Sequence, residues 1–211
     1  MITLKFGGTS VANAQNIKLV LDIVQKKSKE DKLAVVVSAF SGVTDLLLDA
    51  SKKAAQKDKS YREIIHIIEK KHKDAIDELI PLSEQNELLS VINNAVLELK
   101  TLLDGCFLLG ELSPRTADAI ASFGELLSSQ IIATALQQTI PNSNFKDSRE
   151  LIKTNSNFGK ATVNFDLTNK LIADSFTTNK SQVVLLPGFI ASSEDGNTTT
   201  LGRGGFYFNA A

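Results

Sequence analysis

The sequence predicts an α/β fold, a parallel sheet with helices on its faces. Two observations carry this. The first is a strand-loop-helix unit that occurs twice in succession near the start, the arrangement that builds parallel sheets because each return crossing needs a helix. The second is a pair of apolar runs, Leu33-Ala34-Val35-Val36-Val37 and Val183-Val184-Leu185-Leu186. Unbroken runs of this kind mark strands covered on both faces.

Leu4 and Phe6 carry the first strand. Ile17, Val20, Leu21 and Val24 then recur at helical spacing, with Lys26 and Lys27 where cations suit the helix dipole. The second strand, Leu33 to Val37, breaks into Ser38-Ala39-Phe40-Ser41-Gly42-Val43-Thr44 and a helix through Leu46, Leu47 and Leu48. Ile64, Ile68, Ile76 and Leu79 form a helical stripe ended by Pro81, and Leu88, Ile92, Val96, Leu99 and Leu103 form another. These two charged helices, within a segment of about 52–104, read as a helical hairpin inserted beside the sheet. His66 and His72 lie there among lysines and glutamates, which reads as a solvated face for both. Ser113 and Pro114 open a further helix as N-cap and first helical residue, running to about Leu136. Ser143 to Asp147 is a short strand, and Asp166 to Phe176 a helix. The run ending at Leu186 leads into Pro187-Gly188-Phe189-Ile190. Glu194-Asp195-Gly196-Asn197 has hairpin-turn chemistry and feeds the strand Thr198 to Leu201.

The 211 residues suffice for one large or two small domains, and 43% hydrophobic with 22% charged residues is ordinary globular composition. A net charge of -1 gives no broad field for nucleic acid or membrane surfaces. No uninterrupted apolar run approaches the roughly 18 residues of a bilayer span, and the start lacks a signal-peptide layout. A soluble cytoplasmic protein is the expectation. Cys106, the single cysteine, sits beside Phe107, Leu108 and Leu109 and reads as a buried structural thiol. Two histidines and one cysteine argue against a dedicated zinc site; any metal would be a hard ion arriving with a phosphate.

The segment Lys5-Phe6-Gly7-Gly8-Thr9-Ser10 resembles a phosphate cradle. Its glycines admit close backbone approach, a following helix would offer free N–H groups, and Lys5 adds a full charge. It has neither Walker spacing nor the third glycine of a dinucleotide fingerprint. Three more polar loops fall at strand ends: Ser38 to Thr44, Pro187 to Ile190, and Gly202 to Gly205. Ligands of open α/β sheets bind outside the carboxyl ends of the strands, so these loops point to a site for phosphate and carboxylate groups. Arg203, between glycines, reads equally as a carboxylate clamp worth about 1.5–3 kcal/mol or as a surface arginine. Glu125, within Ala121-Ser122-Phe123-Gly124-Glu125-Leu126-Leu127, either faces solvent or is buried and in need of a partner such as an ammonium.

Lys5-Phe6-Gly7-Gly8-Thr9-Ser10-Val11 resembles the opening signature of the aspartokinase family. Further matches follow in order: Ser38 with Thr44, Phe123-Gly124-Glu125, Asp147-Ser148-Arg149, Pro187-Gly188-Phe189, and Thr199-Thr200-Leu201-Gly202-Arg203-Gly204-Gly205. The resemblance covers essentially the whole chain. The helical insert and Leu108-Leu109-Gly110-Glu111-Leu112-Ser113 are similar to forms fused to homoserine dehydrogenase. The resemblance implies the amino-acid-kinase (carbamate-kinase-like) fold, a three-layer αβα sandwich with a mainly parallel sheet. It also implies transfer of the ATP γ-phosphoryl group, with Mg2+, to the side-chain carboxylate of L-aspartate, the first step towards lysine, threonine and methionine. By motif, Lys5 would be catalytic, neutralising charge on the moving phosphoryl group. Gly7, Gly8, Thr9, Ser10, Gly204 and Gly205 would line the phosphate end. Ser38, Thr44, Glu125 and Arg203 would bind aspartate, Glu125 through its ammonium group.

The chain departs from the family in two places. After Gly205 the family continues Ser-Asp-Tyr-Thr, whereas this chain continues Phe206-Tyr207-Phe208-Asn209, and Tyr207 cannot supply the charge that organises the catalytic lysine. The family also continues into a nucleotide lobe and regulatory ACT domains, which 211 residues do not reach. The chain therefore reads as an amino-acid-binding lobe that is inactive alone, with homo-oligomers formed by the full-length protein. The competing readings are an aspartate-binding or dimerisation module without kinase activity, and a kinase of another acceptor.

Overall fold

The computed structural model describes residues 1–201. Its centre is a four-stranded parallel sheet in the order β1-β2-β5-β3, formed by β1 (Ile2–Phe6), β2 (Leu33–Val37), β3 (Ser143–Phe145) and β5 (Val183–Pro187). The register places Lys5 opposite Val36 and Val36 opposite Leu186. β2 and β5 are buried along their whole length, as their unbroken apolar sequences require. Alternate residues serve opposite faces. Leu33, Val35, Val37, Val183 and Leu185 join one core, and Ala34, Val184 and Leu186 join the other.

The first face is covered by α1 (Ala14–Lys27) and α5 (Pro114–Thr139). Behind them lie α2 (Val43–Ala55), α3 (Tyr61–Leu79) and α4 (Gln85–Leu109). The α3–α4 hairpin packs on α2 and α5, and its Ile68, Ile76, Leu99 and Leu103 belong to the same continuous core as the sheet. The second face carries α6 (Ser148–Leu151), α7 (Phe165–Thr178) and a small sheet. In that sheet β6 (Ile190–Ser193) pairs parallel with β4 (Lys153–Thr154) and antiparallel with β7 (Thr198–Thr200). Gly196, at φ +80°, supplies the left-handed position that the β6–β7 turn needs. The result is a three-layer sandwich.

α5 is long and apolar enough to cross a membrane by length and composition, although no uninterrupted apolar run marks it in the sequence. Its most apolar window is 78% buried within the protein. It is the central core helix, apolar nearly all round because the sheet and the neighbouring helices pack on it.

Two sequence expectations need correction. His72 is fully buried instead of solvated: its ring stacks on Phe40 (centroids 4.8 Å apart, 12° between planes) and its Nδ1 lies 2.7 Å from the Ile68 carbonyl. The position continues the Ile68–Ile76 stripe, and that periodicity outweighs the lysines on either side. His66 does face solvent, beside Glu69. The second correction concerns the helix after the glycine turn, which begins only at Ala14, with Asn13 as its N-cap accepting from the Asn16 amide. The helix terminus is therefore capped by the chain itself, and the cradle is a loop, closed by the Ser10 N–H on the Gly7 carbonyl at 2.9 Å.

Candidate active site

Three of the four polar loops gather at the carboxyl edge of the sheet. The Ser38 N–H donates to the Phe6 carbonyl at 3.2 Å, and the Gly188 N–H donates to the Val37 carbonyl at 2.7 Å. Gly8 and Gly188 are needed for closeness. A Cβ on Gly8 would stand 3.3 Å from the Ala39 carbonyl oxygen, and one on Gly188 would stand 3.3 Å from that of Val37. The Pro187 carbonyl accepts from the Ser148 hydroxyl. This gives the Asp147-Ser148-Arg149 segment a structural task, since Asp147 caps α6 and pairs with Arg149 at 2.7 Å. The Ile190 N–H closes a three-residue turn on the Gly188 carbonyl at 2.7 Å, with Phe189 at φ +63° in its middle. A left-handed non-glycine residue is costly and concentrates at ligand sites.

Glu125 lies beneath this edge, on α5. It is 1% exposed. Its Oε1 accepts from the Ala39 N–H at 3.2 Å, and its Oε2 has no hydrogen-bond partner among the described residues. Burial raises its pKa from 4.5 to about 8; the Ala39 amide, its own backbone and the Ser38 side chain offset this only in part. The neighbouring Ser128 hydroxyl donates to the Ser38 carbonyl at 2.9 Å, fixing the loop against the helix. Glu125 and Thr44 line one cleft of about 530 Å³, together with Asp45, Leu48, Asp118, Ala121, Phe189 and Thr200. A buried carboxylate with a spare oxygen, walled by hydroxyls, suits a small cationic group.

The sequence-predicted residues divide in three. Thr44 and Glu125 share the cleft, and Ser38 stands at its back through its links to Ser128 and Glu125. Gly7, Gly8, Thr9 and Ser10 form the adjoining loop, which does not line that cleft. Lys5 is exposed on the opposite face of β1 from Leu4 and Phe6, which pack on the core under α1 and α5. It is one residue from the carboxyl end of β1 and is not among the residues that line the cleft. Arg203, Gly204 and Gly205 lie outside the described residues, as do Phe206 to Asn209.

One residue escapes a reading of the sequence. Asp118 is 4% exposed, and its carboxylate accepts from the Gly159 N–H (2.9 Å), the Thr200 N–H (3.0 Å) and the Thr200 hydroxyl (2.7 Å). Its signal is a second carboxylate seven residues before Glu125, two turns earlier on the same helix face. Among the described residues no three His, Cys, Asp or Glu side chains gather as metal ligands.

The Amino acid kinase family profile matches residues 1–206. The chain is 33% identical over 208 residues to bifunctional aspartokinase/homoserine dehydrogenase 2, chloroplastic, of Arabidopsis thaliana, covering 98% of this chain and 23% of that relative. It is 30% identical over 218 residues to lysine-sensitive aspartokinase 3 of Escherichia coli K12, covering 100% of this chain and 45% of that protein. The chain thus spans between about a quarter and a half of the length of these relatives. Among solved structures, E. coli aspartokinase III in complex with lysine and aspartate matches with a TM-score of 0.87 and 28% identity over 98% of this chain and 44% of that one. The complex of the same enzyme with aspartate and ADP gives 0.86 and 29%, over 97% of this chain and 44% of that one. Sheet order, glycine loops and the core helix with its buried glutamate thus occur in a chain whose sequence matches the family profile almost end to end, and the chain belongs to the amino acid kinase family.

Proposed function

We propose that this chain is the aspartate-holding part of an aspartate kinase, which transfers the ATP γ-phosphoryl group to the side-chain carboxylate of L-aspartate. The observation that carries the reading is Glu125, a buried carboxylate lining a hydroxyl-bearing cleft, with an oxygen that has no partner among the described residues. An α-ammonium group satisfies both its charge and its geometry. Ser38 and Thr44 hydrogen-bond the amino acid from the loop above, and Arg203 grips a carboxylate. The acceptor carboxylate is ionised at neutral pH, so no general base is needed. One of its oxygens attacks the γ-phosphorus as the bond to the bridging β–γ oxygen breaks, and ADP leaves with that electron pair. Catalysis is positioning plus charge stabilisation. Lys5, near the carboxyl end of β1, neutralises charge on the moving phosphoryl group. Gly7, Gly8, Thr9 and Ser10, with Gly204 and Gly205, offer backbone N–H groups and hydroxyls to it.

The described residues do not form a magnesium cage, and magnesium would come with the nucleotide phosphates. We place the nucleotide on residues outside these 211, the reaction in a reducing compartment such as the cytoplasm, and the whole protein in a homo-oligomer. Calorimetry tests the reading. The chain should bind L-aspartate weakly, and Glu125→Gln should abolish the binding. Neither form should yield aspartyl hydroxamate with ATP, whereas the uninterrupted gene product should. Absence of aspartate binding by the parent chain sinks the proposal. Binding without hydroxamate formation by the whole gene product would favour a non-catalytic aspartate module, the reading that Tyr207 in the family's acidic position favours.

A further inference from the structure

The loop Ser38 to Thr44 is tied to the sheet edge at its start and to α2 at its end. The Ser38 and Ala39 amides are bound to Phe6 and Glu125, and the Val43 N–H returns to the Phe40 carbonyl at 2.9 Å. Its middle, Phe40 and Ser41, is held from a third direction by two consecutive residues of α3. The His72 ring stacks nearly parallel on Phe40, and the Lys71 Nζ donates to the Ser41 carbonyl at 2.6 Å.

His72 is an unusual choice for a purely apolar core position. Its Nδ1 can bond the Ile68 carbonyl only as a donor, which leaves Nε2 as an acceptor, and that atom is buried without a partner among the described residues. A buried unpaired acceptor is destabilising relative to an apolar ring of the same shape. What the position requires is a flat ring against Phe40. Lys71 likewise reaches the carbonyl next to Gly42, whose φ of +80° starts α2. Their contacts named above fall on the loop and on α3, not on the sheet or the cleft lining.

We propose that His72 and Lys71 are positioning residues, through which the α3–α4 hairpin sets the Ser38–Thr44 loop in its aspartate-binding conformation. This rests on the reading of that loop as an aspartate site. It assigns the helical insert a task in substrate affinity in addition to its place in the core.

Two measurements on the 211-residue chain test it: amide hydrogen exchange without ligand, and calorimetry with L-aspartate. His72→Ala and Lys71→Met should each speed exchange of the 38–44 amides and raise the aspartate Kd by about tenfold, the scale of coupling between residues in direct contact. Exchange in β2 and α5 should stay unchanged. His72→Phe keeps the ring and should restore both quantities. Lys70→Met, one residue away on a pair with Asp74, should change neither. Loop exchange equal to the parent's in both variants overturns the proposal. So does a rise spread evenly over β2 and α5, which marks global destabilisation only. Should His72→Ala fail to fold, Lys71→Met, whose side chain is only partly buried, decides alone. A parent chain that binds no aspartate defeats the functional reading, while the exchange data still decide the tether.

Discussion

Asp118 and Thr200, 82 residues apart in sequence, are joined by two hydrogen bonds, from the Thr200 N–H at 3.0 Å and its hydroxyl at 2.7 Å. Together with the Gly159 N–H they satisfy a carboxylate that lies two helical turns from Glu125. One face of α5 thus carries two buried acids with different tasks. Asp118 is saturated by the protein and holds the end of β7, the strand that leads to Arg203. Glu125 has one oxygen without a partner among the described residues. Asp118→Ala leaves three donors without their acceptor and is expected to cost about 2–4 kcal/mol in urea unfolding. Asp118→Asn retains one acceptor oxygen and should cost less. Equal midpoints for Asp118→Ala and the parent would contradict this assignment.

Gly124 separates α5 from the Ser38–Thr44 loop. A Cβ there would meet the Ala39 Cβ at 3.0 Å, Leu47 Cδ1 at 3.4 Å and Thr44 Oγ1 at 3.5 Å. Gly124→Ala gains about 1 kcal/mol of helix propensity but suffers about 1–3 kcal/mol of overpacking. Net destabilisation is expected, with weaker aspartate binding because the displaced atoms belong to the site loop. Gly105, inside α4, has nothing within 4 Å of its would-be Cβ. Gly105→Ala should stabilise the chain by about 0.5–1 kcal/mol and leave aspartate binding alone. Opposite signs in paired thermal melts check both.

The parallel sheet is legible in the sequence because β2 and β5 are unbroken apolar runs; α1, α3 and α4 are legible through their stripes, and α5 through its Ser113 cap and Pro114. Glu125 cannot be assigned a face from periodicity. Ala121 to Glu125 are all buried, so α5 has no solvent side there against which to orient it. The hairpin of the small sheet is announced by its Glu194 to Asn197 turn, but β4 is hidden: it has two residues, and its pairing with β6 is made across the fold, where neither alternation nor turn chemistry announces it. The immediate neighbours of His72 mislead, although the apolar residues four before and four after it, Ile68 and Ile76, place it on the buried face. The start of α1 lies later than the glycine turn suggests because Val11 is drawn into the core before the helix begins, and Asn13 supplies the side-chain cap.

Stability against pH should carry the signature of Glu125 and His72, whose shifts oppose each other. Burial raises Glu125 from 4.5 to about 8 and lowers His72 from 6.5 to about 4. A raised carboxylate means that the folded state holds a proton the unfolded chain releases, so stability falls from about pH 4.5 to 8. A lowered histidine means that the unfolded chain takes up a proton first, so stability falls as pH drops from about 6.5 to 4. Between pH 4.5 and 6.5 the two slopes cancel. From pH 6.5 to 8 the Glu125 slope acts alone, a loss of about 2 kcal/mol at 1.4 kcal/mol per pH unit. Other carboxylates titrate at the acid end, so the difference between variant and parent is the quantity to read. Glu125→Gln should gain on the parent steadily from pH 5 to pH 8 in urea midpoints. His72→Phe should gain on it only below about pH 6.5. Aspartate, by bringing an ammonium to Glu125, should ionise it and release a proton, so its binding enthalpy at pH 7 should depend on the ionisation enthalpy of the buffer. A Glu125→Gln difference that does not move between pH 5 and 8, or a binding enthalpy indifferent to buffer, would mean that Glu125 is already ionised without a ligand.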